Sequence, residues 1–94
     1  MTWMVVKHKI REYETWKARF DRDVPEQVAR GLHLVEIARS LDHPDELFLI
    51  FRVDDVAKAR EFMDTPHIRD VMDEAGVLDE PAVHFMETVE VHSR

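Results

Sequence analysis

Hydrophobic positions alternate at the start of the chain and then recur every three to four residues, a switch that predicts a strand running into a helix. Across residues 3–10, Met4, Val6, His8 and Ile10 share one face, and Trp3, Val5, Lys7 and Lys9 share the other. Tyr13, Trp16, Phe20 and Val24 then fall at helical spacing, with Glu12, Glu14, Lys17, Arg19 and Arg22 between them. Pro25 interrupts that pattern and predicts a break near Val24, followed by a short segment over 25–30 that Gly31 closes. Residues 32–41 read as a second strand with mixed alternation, and His43-Pro44-Asp45-Glu46 has the composition of a tight turn. The third strand, 46–53, holds Leu47-Phe48-Leu49-Ile50-Phe51. Both of its faces are apolar, which predicts a central strand covered on both sides.

Asp54 or Asp55 can cap a helix over 56–64 that buries Val56, Ala59, Phe62 and Met63. Thr65-Pro66 starts another, with Ile68, Val71, Met72 and Ala75 as its apolar stripe and Gly76 as its end. Pro81 precedes a fourth strand over 82–91, in which Val83, Phe85, Glu87, Val89 and Val91 share a face. The order is that of an α+β, ferredoxin-like βαββαβ domain: a four-stranded antiparallel sheet with helices on one face, over residues 1–94 as a single domain. Helices on one face leave large apolar groups of the first and third strands on the other. Such a patch predicts an interface, and a homodimer that stacks two sheets through their open faces covers it.

Composition narrows the partners. The chain has 94 residues, 45% hydrophobic and 35% charged, with a formal net charge of -7. A chain of this length buries roughly two-thirds of its surface at best, which suits a partner subunit. The acidic balance argues against nucleic acid and anionic membranes, which want a basic face. Lys7, Lys9, Arg11, Lys17 and Arg19 read as solvated faces. Cysteine is absent, which removes disulfides and thiolate chemistry. No apolar run approaches the roughly 20 residues that span a bilayer, and the opening residues read as a strand, so the expectation is a soluble cytoplasmic protein.

Val6-Lys7-His8-Lys9-Ile10 with Tyr13 and Trp16, Thr65-Pro66-His67 before a short helix, and the closing Pro81-Ala82-Val83-His84-Phe85 resemble the dimeric α/β-barrel superfamily. The resemblance is to its antibiotic-biosynthesis-monooxygenase-like members and their small uncharacterised relatives. It implies two ferredoxin-like subunits joined as a barrel, each with a ligand cleft between sheet and helices. Members of the superfamily include cofactor-free oxygenases of polycyclic phenols or quinols, heme-degrading enzymes, isomerases and proteins without known activity. The heme-degrading members resemble one another in an asparagine, tryptophan and histidine constellation. This chain has no asparagine, and neither Trp3 nor Trp16 lies in the second helical region.

The candidates for chemistry are few. His8 sits where the strand pattern wants an apolar residue, either orienting a ligand and moving a proton or simply satisfied in the core. His67 lies in the first turn of a helix, where the dipole favours its neutral, basic form. These two are the candidate catalytic residues. Tyr13, Trp16, Phe51 and His84 are the candidate ligand-binding residues around an apolar cleft. Glu87, out of place among valines and Phe85, is expected to pair with a basic residue such as Arg52 or Arg39 across the sheet or the dimer, with an acid/base role as the alternative. No HExxH-type or i, i+4 histidine pair points to a metal, and with glycine only at 31 and 76 there is no phosphate loop. No cofactor is implied. The leading reading is a homodimer binding a small aromatic or polyketide-like molecule, with cofactor-independent monooxygenation or a cyclase or isomerase reaction as its chemistry. The rival is a non-catalytic ligand-binding or protein-interaction module.

Overall fold

The computed structural model describes residues 1–93 and runs β1 (Thr2–Lys9), α1 (Tyr13–Ala29), β2 (Leu32–Arg39), β3 (Glu46–Val53), α2 (Val56–Met63), α3 (Pro66–Ala75) and β4 (Ala82–Glu87). The strands form one antiparallel sheet in the order β2-β3-β1-β4, the ferredoxin-like arrangement that the element order predicts. β1 is central: Met4 lies opposite both Phe51 and Phe85, and Val6 opposite both Leu49 and Val83.

The alternation assigns the faces. Met4, Val6, His8 and Ile10 are buried, as are Leu47, Leu49, Phe51 and Val53, and this set meets the helices. Trp16 and Phe20 of α1, Ala59 and Phe62 of α2, and Ile68 and Ala75 of α3 complete the core. Burying the larger of these side chains contributes roughly 1.5–3 kcal/mol each and is the main reason that short helices hold their places.

The local signals mostly act as read. Asp55 caps α2 by accepting from the Lys58 amide, and Thr65 caps α3 by accepting from the Ile68 amide. Gly76 closes α3 at φ 80. Gly31 stands at φ 78, where an added Cβ would also lie 3.1 Å from the Asp54 Cβ, so both conformation and space require glycine.

Three expectations are corrected. Helix α1 does not break at Val24; it runs unbroken from Tyr13 to Ala29 with Pro25 inside it. Pro25 is exposed and forfeits its bond on the solvent side, while the buried positions Trp16, Phe20, Asp23 and Gln27 continue the same inward stripe across it. In β2 a register irregularity between Leu34 and Glu36 shifts the alternation, which explains the mixed pattern: Leu34 pairs with Phe51, and Ile37 with Leu49. Strand β4 ends at Glu87, because its last partner is Thr2 at the start of β1. Beyond it Val89 and Val91 are 89% and 81% exposed. Within the single chain and among the described residues no ion pair reaches Glu87, which leaves the pairing across a dimer as the expectation; Arg52 pairs with Asp54, and Arg39 lies over the Tyr13 ring.

Candidate functional site

Between the sheet and the three helices lies a cavity of about 60 Å³. Its walls are almost wholly apolar: Met4 and Val6 from β1, Leu49 and Phe51 from β3, Trp16 and Phe20 from α1, Phe62 from α2, and Ile68 and Val71 from α3. Met63, Met72 and Val77 are the half-buried members of the lining. An apolar cavity of about 150 Å³ holds benzene, so a ring-sized guest requires these side chains to move aside. The two methionines are suited to that, being unbranched and flexible.

His8, Asp23 and Gln27 are the buried polar residues of the structure, and all three line this cavity. The alternation of β1 puts His8 on the helix side, 3% exposed, with its ring edge-on to Trp16 at 5.8 Å between centroids. Among the described residues no protein group bonds either of its ring nitrogens. Burial pushes its pKa below the ordinary value, and the negative charge of Asp79 opposes this only in part. The ring is therefore neutral at pH 7, with one nitrogen able to accept a proton and the other to donate a hydrogen bond.

Asp23 escaped the sequence reading. Its Oδ1 accepts a 2.7 Å hydrogen bond from Nε2 of His67, and its Oδ2 has no protein partner among the described residues. A carboxylate only accepts, so the histidine nitrogen is the donor. The spacing carries the signal: from Trp16 and Phe20 the buried stripe continues to Asp23 and Gln27, one position before the Val24 that the helical pattern expects.

The candidate residues do not all meet. His8, Trp16 and Phe51 line the cavity. His67 is not among its lining residues; it stands half-exposed at the start of α3 and reaches the cavity only through Asp23. Tyr13 packs against Trp16 with ring centroids 5.8 Å apart, but it borders a separate surface groove with Ile37, Arg39 and Leu47. His84 projects from the other face of the sheet, exposed and opposite Val5 in register. Among the described residues no group of three histidine, aspartate or glutamate side chains is placed to hold a metal ion. None of the described helices is long and apolar enough to cross a membrane.

No protein-family model matches the chain. No curated protein matches it either. Solved structures do. A Bordetella bronchiseptica protein provisionally named an antibiotic biosynthesis monooxygenase superposes with a TM-score of 0.77 at 18% identity, covering 95% of this chain and 97% of that one. One of the same provisional name from Caulobacter crescentus gives 0.71 at 12% identity, covering 95% and 90%. Rv0793 from Mycobacterium tuberculosis gives 0.64 at 17% identity, covering 99% and 100%. At these identities the likeness establishes the fold over the whole chain, in agreement with the resemblance read from the sequence.

Proposed function

We propose that this chain forms a homodimer in which each subunit's cavity binds a small aromatic or polyketide-like molecule, and that His8 is the base for a cofactor-independent oxygenation there. The observation that carries this reading is His8 itself, a neutral imidazole with no protein partner among the described residues, in a cavity walled mainly by apolar side chains. The monooxygenase names given to the Bordetella bronchiseptica and Caulobacter crescentus structures of the same fold support an oxygenation. In that reaction His8 takes the proton of a phenolic O–H, and the electron-rich ring then forms a carbon–oxygen bond with O2. The hydroperoxide loses water to leave a carbonyl, so that a phenol and O2 give a quinone and water. The apolar walls exclude bulk water and strengthen the electrostatics around the developing charge.

The dimer rests on the open face of the sheet. Trp3, Val5, Phe48 and Ile50 are half-buried there, and Met86 beside Trp3 is 47% exposed. The accessible surface of 6361 Å² also exceeds the roughly 5,700 Å² expected of a folded monomer of this mass. The exposed segment after β4, with Val89 and Val91, belongs to that excess.

The test is oxygen uptake with a panel of naphthols and larger polycyclic phenols. The expected result is uptake above the protein-free rate for at least one of them, abolished by His8→Ala. Uptake that His8→Ala leaves unchanged removes His8 from the reaction, and uptake absent across the panel removes the oxygenase. One observation favours a second reading, a non-catalytic binding module. Catalytic histidines are commonly oriented by a partner on the second nitrogen, and no described residue does this for His8. In that case the same panel binds without turnover.

A further inference from the structure

The stripe of α1 that faces the sheet reads Trp16, Phe20, Asp23, Gln27, aromatic in its first half and polar in its second. Asp23 is 3% exposed, a depth at which aspartate is seldom found unless its oxygens are satisfied. Only Oδ1 is satisfied, by His67. Leaving a carboxylate oxygen without a partner beside an apolar cavity costs stability, and an inward stripe that breaks its own pattern at that cost points to a binding role.

The geometry adds a length. Trp16, which touches His8, and Asp23 are seven residues apart on one helix, about 10 Å along its axis. The cavity therefore has its polar groups apart, His8 beside Trp16, Asp23 two turns further on and Gln27 one turn beyond that. Phe20, Leu49 and Phe51 are among the apolar residues that share the lining with them.

We propose that Asp23 is a specificity-determining anchor of this cavity, and that its ligand is an aromatic molecule carrying a hydroxyl at the end opposite the group that His8 addresses. The inference rests on the cavity being the ligand site proposed above. Oδ2 accepts from the distal hydroxyl. His67 is a positioning residue: it holds Oδ1 from the surface and so fixes the direction of Oδ2. It is itself fixed by its place in the first turn of α3, which Thr65 caps, and by packing on the Phe62 ring at 6.0 Å. A ligand without the distal donor leaves a buried carboxylate oxygen unpaired and is rejected for that reason, more strongly than a shape mismatch in the apolar walls would reject it.

Calorimetric titration of the protein with 2-naphthol and with 2,6-dihydroxynaphthalene measures this directly, because the two differ only in the second hydroxyl. The diol is expected to bind about 10–100-fold tighter, the range of a hydrogen bond to a charged group. Asp23→Asn is expected to bring the ratio to within about 3-fold while 2-naphthol binding persists, since a neutral amide is the weaker partner. Asp23→Leu, which removes the acceptor without leaving a polar group buried, serves the same comparison if the amide variant folds poorly. His67→Gln gives an intermediate ratio. A purely structural Asp23 would weaken both ligands alike and leave the ratio untouched. A diol preference that survives in the Asp23 variants, or one that the native protein lacks, overturns the anchor and leaves the cavity reading standing. Failure of both phenols to bind the native protein overturns the two together.

Discussion

On the helix side of the sheet, Met4, Val6, Leu47, Leu49 and Phe51 are each at most 3% exposed, while their immediate neighbours Val5, Phe48 and Ile50 on the far side remain half-buried. The same strands and the same two-residue period build both faces. The covered face is sealed by three helices and takes in three polar residues, His8, Asp23 and Gln27. The open face carries its charges outward, with Lys7 near Glu46 at 3.6 Å and Arg52 near Asp54 at 3.7 Å. Of the three buried polar residues, His8 is the one on a strand, where a sheet that only needed to fold would place an apolar residue. Under the function proposed above the two faces have separate tasks: the covered face binds the ligand, and the open face pairs with a second sheet.

The largest expected effect tests whether the covered face carries the stability of the single chain. Trp16 is 1% exposed, stacked on Phe20 at 4.9 Å and edge-on to His8. Trp16→Ala is expected to cost about 3–5 kcal/mol in denaturant unfolding, through lost burial and a cavity that the helices cannot close. Phe48→Ala on the open face is expected to cost much less, measured where the chain is dilute enough to be monomeric. Equal losses would mean that the two faces are not energetically distinct.

A smaller effect tests what covers the open face. Ile50→Lys places a charge in the middle of the patch. In the single chain the new ammonium faces Glu36, its cross-strand partner in the register, so the subunit is expected to stay folded. In a dimer the charge is buried against an apolar surface, and dimer affinity is expected to fall by at least about 100-fold. Sedimentation equilibrium reads this as a shift from dimer to monomer. Native protein that already sediments as a monomer at micromolar concentration breaks the proposed assembly.

The sequence carried the element order, the caps at Asp55 and Thr65, the glycine ends and the two-sided apolar character of β3, because each depends on residues adjacent in the chain. What it hid depended on neighbours distant in the chain. Pro25 is a strong local breaker, yet the inward stripe of α1 outweighs it through contacts made on both sides of the proline. The irregularity in β2 depends on its pairing with β3, and the end of β4 is set by where β1 begins. Asp23 is the instructive miss at the site. A lone aspartate on a helix of many charges looks solvated, and only the position of α3, which brings His67 to its Oδ1, identifies it as buried and held. His8 was legible because one polar residue on an apolar strand face is conspicuous without any tertiary knowledge. His84 shows the limit of that approach, since alternation puts it in the sheet but does not say which face the helices take.

The smallest effect sharpens the contrast between the faces by using the charge that the covered face refuses. Burial holds the pKa of His8 below its ordinary 6.5, so the unfolded chain takes up a proton that the folded chain does not. Stability from this source is fully present above pH 6.5 and falls as the pH drops below it, by at most about 1.4 kcal/mol per unit for one proton, until the folded pKa is passed. His8→Leu keeps a similar volume, removes the proton site and removes two ring nitrogens that have no protein partner. The variant is therefore expected to be at least as stable as the native protein at pH 7. Its advantage should widen between pH 7 and pH 5, because every other titrating group is shared by the two proteins and cancels in the difference. Denaturant unfolding of both across that range checks it. A difference that stays constant would mean that the surroundings of the imidazole do not lower its pKa, and that the covered face does not refuse the charge.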